Sequence, residues 1–364
     1  MRPISHHSLN AVCPYYTMFP IEFPLTVLRG AKKSDWVLDP FCGRGTTNYA
    51  ARLLGLPSVG VDASPIAVAI AKAKFARATP RRITELCRRI LCDESSTPTA
   101  PRGVFWRLCY DPQTLREIAK LRDYFQRQCK TDTEIALRAL LLGTLHGPTQ
   151  KTVRSYLSNQ MPRTYATKPA AAVRYWTKHD LKPKRADVLD VVERRATHFF
   201  GEVPAPGEGL ILHGDSLQTD LAQGDSKFSW VITSPPYRGL RTYVPDQWLR
   251  NWFLGGPAEV SYDKQYQLPH GDTEFTLALA EVWARVAAVC KRDARMAIRF
   301  GSLPSVEDDP RMLIKKSLKL ADAGWTITTI KDAGSAAHGR RQSPQFGASS
   351  TATDEIDVYA RLGR

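Results

Sequence analysis

The pattern of hydrophobic and polar positions divides the chain into two strand-and-helix regions with a helical region between them. Near the start, and again from about residue 209, short apolar runs alternate with amphipathic helical segments. This alternation is typical of βαβ units, which build parallel sheets. Over residues 80–205 apolar positions recur at helical spacing and no strand series is evident. The pattern predicts an α/β domain that is interrupted by a mostly helical insertion.

The first βαβ unit is predicted over residues 35–78. The run DWVLDPF (35–41) precedes the turn CGRGTT and a helix, and the run PSVGVDAS (57–64) precedes a helix over 65–78. Proline stands at the first position of that second helix, where its missing N–H costs nothing. Because the two strands are joined through a helix, we expect them to be parallel neighbours.

Strands and helices resume after the insertion. Strands are predicted at 209–216, 228–237 and 294–301, and helices at 275–290 and 311–325. The late strands TITTIKDAG and EIDVYARL are expected to pair antiparallel at one end of the sheet. The predicted fold class is α/β, with a Rossmann-like, mostly parallel sheet, an antiparallel end pair and a mostly helical insertion. The expected division is an N-terminal part of one domain (1–80), the basic helical insertion (81–205) and the C-terminal part of the first domain (206–364).

The charge of the chain is strongly basic and unevenly distributed. The 364 residues carry a formal net charge of +15, and residues 81–200 hold 23 Lys and Arg against 12 Asp and Glu. An excess of +11 in one third of the chain favours a polyanionic partner, of which nucleic acid is the first choice. A solvated basic surface is the alternative interpretation.

Other features narrow the class of protein. No apolar run approaches the roughly 20 residues of a membrane span, and the N-terminus lacks the apolar core of a signal peptide. We therefore expect a cytoplasmic protein with no membrane partner. The seven cysteines include no CxxC pair, so neither a disulfide framework nor a metal site is predicted.

The turn after the first predicted strand is one candidate site. Gly43 and Gly45 permit a tight turn and the close approach of a ligand, although the spacing matches neither GxGxxG nor a phosphate loop. Asp62 ends the second strand, where an acid can accept hydrogen bonds from a ribose, and Asp215 ends the strand after the insertion, where it would meet an adenine amino group. Parallel strands end at one edge, so these residues are expected to share a crevice. For either acid taken singly, a capping role is equally expected.

The segment ITSPPY (232–237) is the second candidate site. Proline fixes φ and donates no hydrogen bond, so Pro235–Pro236 makes a stiff, extended exit from the sheet. The Ser234 hydroxyl and the Pro235 carbonyl would then be acceptors at fixed positions, and Tyr237 would offer an aromatic face. Read alone, the segment could equally be a plain strand-ending turn.

The two motifs together resemble the S-adenosylmethionine-dependent amino-methyltransferases of DNA, which methylate exocyclic nitrogen. VLDPFCGRGTT followed by TSPPY carries the resemblance, and CPYYTMFPIEFPLTVLRG resembles the family's cofactor-side helix segment. The resemblance covers residues 13–78 and 209–330. The N4-cytosine branch typically carries Ser-Pro-Pro-Tyr, whereas the N6-adenine branch more often has Asp or Asn in place of the serine. Members commonly place target recognition after the third or fourth motif, so the position of the insertion is a departure.

The resemblance implies a methyltransferase sheet and a function, namely transfer of a methyl group from S-adenosylmethionine to cytosine N4 in double-stranded DNA. Transfer would occur by direct displacement on a flipped base. It implies a base site formed by Ser234, Pro235, Pro236 and Tyr237. It also implies cofactor contacts from Phe19, Asp39, Pro40, Phe41, Cys42, Gly43, Gly45, Thr46, Thr47, Asp62, Ala63, Asp215 and Ser216. A cognate restriction endonuclease would be a further partner.

DNA contacts are expected from the insertion and from two basic loops. Asn159 would read a base edge or cap a turn, and the other candidates are positive charges that suit phosphates. These candidates are Arg163, Lys168, Arg238, Arg241, Arg340 and Arg341. Tyr243, Trp248 and Trp252 would line the base pocket or, as the simpler interpretation, pack a helix.

Three alternatives remain at this point. N6-adenine methylation would use the same groups, because a serine can serve either amino nitrogen. A methyltransferase fold that binds nucleic acid without turnover is a second possibility. An RNA or protein amino-methyltransferase is the third, and the basic insertion favours a long polyanion over a protein. Methylation at C5 of cytosine is disfavoured because no Pro-Cys step is present.

Overall fold

The computed structural model describes residues 8–15, 19–95, 97–148, 155–159, 161, 169–224, 226–239, 241–262, 264–266, 268–269, 271–302, 309–335 and 354–363. The chain forms two compact units. The helical unit consists of Met1–Pro14, Ala76–Pro204 and Tyr243–Lys264, and the sheet unit consists of Tyr15–Phe75, Ala205–Thr242 and Gln265–Arg364. Relative to the expected division, the helical unit gains an N-terminal segment and the segment that follows Thr242.

The sheet unit contains a seven-stranded mixed sheet in the order β3-β2-β1-β4-β7-β9-β8. The strands of the chain are β1 (Trp36–Asp39), β2 (Ser58–Asp62), β3 (Gly209–His213), β4 (Phe228–Thr233), β5 (Arg241–Tyr243), β6 (Lys264–Tyr266), β7 (Cys290–Gly301), β8 (Trp325–Ser335) and β9 (Asp354–Leu362). β5 and β6 form a separate two-stranded sheet. In the large sheet β3, β2, β1, β4 and β7 each pair parallel with the next strand in this order. β9 pairs antiparallel with both β7 and β8. The prediction of a mostly parallel sheet with an antiparallel end pair is confirmed.

Twelve α-helices and two short 3₁₀ helices (Ser8–Ala11 and Leu28–Gly30) lie in the described residues. They are α1 (Glu22–Val27), α2 (Thr46–Leu53), α3 (Pro65–Ala73), α4 (Pro80–Cys92), α5 (Val104–Cys109), α6 (Pro112–Arg127), α7 (Asp132–Thr144), α8 (Pro169–Lys178), α9 (Val188–Phe200), α10 (Val244–Phe253), α11 (Asp272–Val289) and α12 (Pro310–Ala321). α4 to α10 belong to the helical unit and the other α-helices to the sheet unit.

Two strands are shorter than the apolar runs that predicted them, and proline explains both differences. β1 ends at Asp39 because Pro40 has no N–H for the ladder, and β4 ends at Thr233 before Pro235 and Pro236. The chain therefore leaves the sheet at the residues that the sequence marks as candidate sites.

The sheet is buried on both faces, and the period-two alternation of its strands shows how. Val37 of β1 and Ile232 of β4 pack on the side of α1 and α2, in a cluster with Phe23. Leu38 and Val231, one position along each strand, belong to the opposite cluster, which α11 and α12 cover. Successive strand residues point to opposite faces, so near-continuous apolar runs are what a sheet covered on both sides requires.

The helical unit is organised around tryptophan rings. Trp106 of α5 lies 5.2 Å from the ring of Trp248 and 4.5 Å from that of Trp252, measured between centroids. Both α10 tryptophans are 2% exposed. The simpler of the two expectations for these side chains therefore holds, because they pack a helix and are not available to line a base pocket. The Tyr243 side chain lies outside the described residues.

None of the described helices combines the length and the apolar character needed to cross a bilayer. Within the same part of the chain, no three His, Cys, Asp or Glu side chains are grouped as ligands of a metal ion would be. All seven cysteines carry free thiols, and five of them are buried.

A buried ion pair joins β7 to β9. Nε and Nη2 of Arg299 each donate to a carboxylate oxygen of Asp357 at 2.7 Å, and both side chains are 11% exposed. The guanidinium also lies 4.1 Å from the centre of the Phe23 ring. The pair is bidentate. The Asp357 carboxylate offsets the cost of burying the charged Arg299 guanidinium.

Replacing Asp357 by Asn is expected to lower the free energy of unfolding by about 3 kcal/mol, because Arg299 would remain buried beside a neutral partner. Urea denaturation followed by circular dichroism measures the loss. The matched control is Glu85→Gln, which breaks the exposed Arg81–Glu85 pair and should leave stability unchanged. Equal losses from the two variants would contradict this role for the buried pair.

Candidate functional site

The loop after β1 turns through two glycines that have different tasks. Gly43 has φ of 51° and Gly45 has φ of 74°, both in the left-handed region that favours glycine. A Cβ at Gly45 would lie 2.9 Å from Cβ of Ala71 on α3, so this glycine allows α2 and α3 to pack closely. A Cβ at Gly43 would meet nothing within 4 Å. The backbone at Gly43 therefore faces open space, where a ligand can approach it.

Asp62, at the end of β2, binds the neighbouring loop through its carboxylate. Oδ2 accepts a hydrogen bond from the Gly43 N–H at 2.8 Å, and Oδ1 accepts one from the Ser64 N–H at 2.8 Å. Burial raises the pKa of this carboxyl, and the two backbone hydrogen bonds oppose that rise. Each carboxylate oxygen has a second lone pair, so Asp62 can hold the loop and still accept a hydrogen bond from a ligand hydroxyl.

The end of β3 lies beside the end of β2, because Gly214 donates its N–H to the Asp62 carbonyl at 3.1 Å. The next residue, Asp215, is exposed, and its Oδ1 accepts the N–H of Leu217 at 3.0 Å. Ser216 is buried and its hydroxyl donates to the Pro40 carbonyl. Asp215 therefore caps a turn at the edge of the site with its side chain in solvent, while Ser216 is part of the framework.

The end of β4 is attached directly to the end of β1. The Thr233 hydroxyl donates to Oδ1 of Asp39 at 2.7 Å, and the Thr47 hydroxyl at the start of α2 donates to the Ile232 carbonyl at 3.2 Å. Ser234 follows Thr233 immediately. The structure thus brings the serine–proline–proline–tyrosine segment and the glycine loop together at the carboxyl edge of the sheet, as the sequence predicts.

The side chain of Asp39 is bonded within the protein, and the direct ligand contact that the resemblance implies for it stays a prediction. Its side chain is 1% exposed, and Oδ1 also accepts the Phe41 N–H at 3.1 Å. Burial raises the pKa of its carboxyl to about 6, although the hydrogen bonds from Thr233 and Phe41 favour the charged form. The structure gives Asp39 the task of holding the loop and β4 in register.

Most of the other residues expected at the cofactor have buried or half-buried side chains. Phe19 is 6% exposed and packs edge-on against Phe23 with the centroids 5.3 Å apart. The ring of Phe41 is half-buried, 6.3 Å from that of Trp283. Ala63 is exposed, and its carbonyl lies 3.1 Å from Nε2 of His213. The remaining buried residues of this group are Pro40, Cys42, Thr46 and Thr47.

The serine–diproline corner is partly accessible. Pro235 is buried, whereas Ser234, Pro236 and Tyr237 are half-buried. Among the described residues, none forms a hydrogen bond with the Ser234 hydroxyl. The Tyr237 hydroxyl donates to Oε1 of Glu355 at 2.5 Å, and its ring meets the Phe300 ring edge-on at 5.4 Å.

The residues expected to contact DNA are mostly beyond what the structure describes. Asn159 is 9% exposed, and its amide nitrogen donates to the carbonyls of Leu108 and Leu181 at 3.0 and 3.1 Å. These bonds use both amide hydrogens, so the structure supports the turn-capping role of Asn159 and not the contact with a base edge. Arg238 is half-buried. Arg163, Lys168, Arg340, Arg341 and the side chain of Arg241 lie outside the described residues.

Two residues at this edge were not identified from the sequence. Thr233 precedes the candidate serine and ties it to the glycine loop, but a threonine inside an apolar strand has no distinguishing signal. Glu355 had a weak signal, because it is an acid at the start of an otherwise apolar strand. Its partner is 118 positions away in the chain, which no local pattern reveals.

The raised pKa of Asp39 predicts a pH-dependent stability. The folded state holds the Asp39 proton more tightly than the unfolded chain, so this group's contribution is complete below pH 3.8 and is lost as the pH rises through about 6. Relative to Asp39→Asn, the wild type should lose about 2 kcal/mol of unfolding free energy between about pH 4 and about pH 8. Urea titrations at both pH values measure this difference. Parallel stability curves for the two proteins would contradict the shift.

Two solved structures have a backbone that follows a similar path over most of this chain. The rRNA methyltransferase aviRa from Streptomyces viridochromogenes is 12% identical, with 98% of this chain and 91% of that chain covered, at a TM-score of 0.37. TrmN from Thermus thermophilus is 9% identical, with 99% and 53% covered, at a TM-score of 0.34. We draw no conclusion from similarities of this strength.

The amino-acid sequence gives a more specific match at the N-terminal half of the site. A segment of 37 residues is 51% identical to the Type II methyltransferase M.BsoBI of Geobacillus stearothermophilus, covering 10% of this chain and 7% of that protein. The family model for N6/N4 methyltransferases, described as DNA methylase, matches residues 4–73. This stretch contains the glycine loop and Asp62. Over residues 4–73 the chain is therefore similar to the N6/N4 DNA methylase family.

Proposed function

We propose that the protein transfers a methyl group from S-adenosylmethionine to the exocyclic amino nitrogen of a DNA base, with N4 of cytosine as the target atom. The observation that carries the proposal is the 2.7 Å hydrogen bond from Thr233 to Asp39. It holds the serine–diproline corner against the glycine loop. A methyl donor at the loop and a base at the corner would therefore share one edge of the sheet.

The residues at the glycine loop fit a nucleoside cofactor. Open space over Gly43 leaves room for the ligand beside the backbone, and the Asp62 carboxylate at the next strand end suits ribose hydroxyls. Asp215 is available as a polar contact at the third strand end. When bound, S-adenosylmethionine supplies an electrophilic methyl group on a sulfonium.

The residues at the corner fit an amino group that has two hydrogens. An exocyclic amino nitrogen is a poor nucleophile because its lone pair is delocalised into the ring. The Ser234 hydroxyl and the Pro235 carbonyl would each accept one N–H, which favours a tetrahedral nitrogen with an available lone pair. Direct displacement needs such alignment and oriented dipoles and no covalent intermediate on the protein. The Tyr237 ring would stack on the target base.

The choice of cytosine N4 over adenine N6 rests on the residue at position 234. Serine at this position is typical of the N4 branch that the sequence resembles, and the adenine branch more often carries Asp or Asn. Adenine N6 is therefore the second candidate, with the same residues in the same roles. The cytoplasmic location and the cognate restriction endonuclease stay predictions.

An exposed arginine face on α4 supports a polyanionic partner. Arg81, Arg82, Arg88 and Arg89 are all exposed, and a spacing of seven puts the two pairs on one helix face, about 10 Å apart along the axis. Glu85 pairs with Arg81 at 2.8 Å. In the described part of the chain the other three arginines have no carboxylate partner. Uncompensated arginines on one face suit the phosphates of a nucleic acid.

The acceptor test uses the wild-type protein, S-adenosylmethionine and DNA from a host without DNA methylation. After digestion to nucleosides, mass spectrometry should detect N4-methylcytosine. N6-methyladenine in its place would reject the cytosine target and retain the reaction. Labelled methyl groups in RNA or protein, with none in DNA, would reject the DNA acceptor. No transfer to any of the three would support the binding-only alternative.

Two variants should separate the tasks of the two motifs. Ser234→Ala is expected to lower kcat at least 100-fold, roughly the loss seen when one oriented hydrogen-bonding group is removed from an active site. It should leave the dissociation constant of S-adenosylmethionine unchanged. Asp62→Asn should instead weaken cofactor binding about 10-fold. Calorimetric titration and initial rates measure both quantities, and loss of cofactor affinity in Ser234→Ala would contradict the assignment.

Replacing Arg82, Arg88 and Arg89 together by Gln should weaken DNA binding and reduce the steepness of log affinity against log salt by about 3. Filter binding at several salt concentrations measures this slope. The matched control removes the same charge from the exposed face of α12, by Gln at Lys315, Lys316 and Lys319. If the control lowers affinity and slope as much, overall charge and not the α4 face accounts for binding.

A further inference from the structure

We propose that Glu355 is a positioning residue that fixes the Tyr237 ring in the orientation needed to receive the target base. This inference rests on the proposed function, because it concerns the base side of the same site. It assigns a task to a residue that lies outside the serine–diproline motif and on a different strand. Three features of the site support it, and each involves the hydroxyl end or the edge of the tyrosine ring.

Glu355 lies at the edge of the sheet where the site is. It is the second residue of β9, directly opposite Gly301 at the end of β7. β9 runs antiparallel to β7, so the start of β9 meets the carboxyl ends of the parallel strands. The side chain is 3% exposed, and Oε1 accepts the Tyr237 hydroxyl at 2.5 Å. A short hydrogen bond to a carboxylate in a buried position is among the stronger side-chain contacts.

The ring is held at two further places. Its edge meets the Phe300 ring at 5.4 Å and 81°, an aromatic arrangement that is favourable in itself. A Cβ at Gly301 would lie 3.2 Å from Cζ of Tyr237 and 3.3 Å from Cγ of Glu355. The absence of a side chain at this position lets the tyrosine and the glutamate approach each other. Phe300, Gly301 and Glu355 together restrict the rotation of the ring.

The charge of Glu355 is compensated from the same strands. Arg299 of β7 lies two residues before Gly301, pairs with Asp357, and has a favourable interaction with Glu355 that helps to raise the pKa of its guanidinium. Glu355 and Asp357 are two residues apart on β9 and therefore on one face. A positive charge beside a buried carboxylate offsets part of the cost of burying it. The Arg299 guanidinium therefore supports Glu355 as the acceptor of the Tyr237 hydroxyl.

The arrangement matters because the prolines fix only the backbone. Pro235 and Pro236 restrict the chain before Tyr237, but they leave the side-chain torsions of the tyrosine free. A ring that is already oriented in the free protein would not have to be ordered when the base arrives. Pre-organisation of this kind lowers the barrier of a positioned reaction, and small misplacements raise it strongly.

The experiment measures kcat with DNA and S-adenosylmethionine as substrates. It compares the wild type with Tyr237→Phe, Glu355→Ala, the double variant that combines these two substitutions, and Glu355→Gln. Tyr237→Phe and Glu355→Ala should each lower kcat about 10-fold, and the double variant should fall no further, because one hydrogen bond is lost in every case. Glu355→Gln retains an acceptor oxygen and should restore kcat to within about 3-fold of wild type. Cofactor affinity of Tyr237→Phe should remain unchanged.

Gly301→Ala is a second test of the Tyr237–Glu355 hydrogen bond, because the added Cβ would press on both side chains. It should lower kcat, with Gly30→Ala as the matched control. A Cβ at Gly30 would meet nothing within 4 Å, and the backbone there is not in the left-handed region. Its replacement should therefore leave kcat unchanged.

The outcomes separate this inference from the proposed function. A wild-type protein that transfers no methyl group to DNA overturns both. An active wild type with full kcat in Tyr237→Phe, or single losses that multiply in the double variant, overturns only the positioning role. A failure of Glu355→Gln to recover activity would also overturn it, because the role needs an acceptor at this position.

Discussion

The hydrogen bond between Thr233 and Asp39 is the contact on which the candidate site depends. It joins the ends of two neighbouring parallel strands, and each strand leads into one of the two motifs. β1 continues into the glycine loop, and β4 continues into Ser234 and the prolines. Parallel pairing brings the strand ends to one edge, but it leaves the exit paths of the loops open. The carboxylate of Asp39, which also accepts the Phe41 N–H, sets both exits at once.

The same edge of the sheet holds three carboxylates, of which Asp39 and Glu355 are buried and Asp62 is half-buried, and each has different hydrogen-bond donors. Asp39 is held by hydroxyl and backbone donors, Asp62 by two backbone N–H groups, and Glu355 by the Tyr237 hydroxyl next to the Arg299–Asp357 pair. Burying such groups is costly unless their partners are well placed. An edge built in this way has little freedom to change shape.

The two units differ in composition as well as in architecture. The sheet unit carries both motifs, and the basic excess is concentrated in the part of the chain that forms most of the helical unit. The helical unit has its own aromatic core around Trp106, and the arginines of α4 are exposed. The basic excess therefore lies mostly in a part of the chain that contributes no strand to the large sheet.

The local pattern of the sequence determined the elements and the type of site. Apolar runs that end in Asp-Pro and Ser-Pro-Pro placed the ends of β1 and β4 and identified the glycine loop, because proline and glycine act on the backbone at their own position. The tertiary structure decided which of these side chains are buried or bonded within the protein. Asp39 and Cys42 are buried, the Asn159 amide donates to two carbonyls, and Trp248 and Trp252 belong to the core. It also supplied the contact of Glu355 with Tyr237, because partners 118 residues apart meet only when β9 is inserted beside β7.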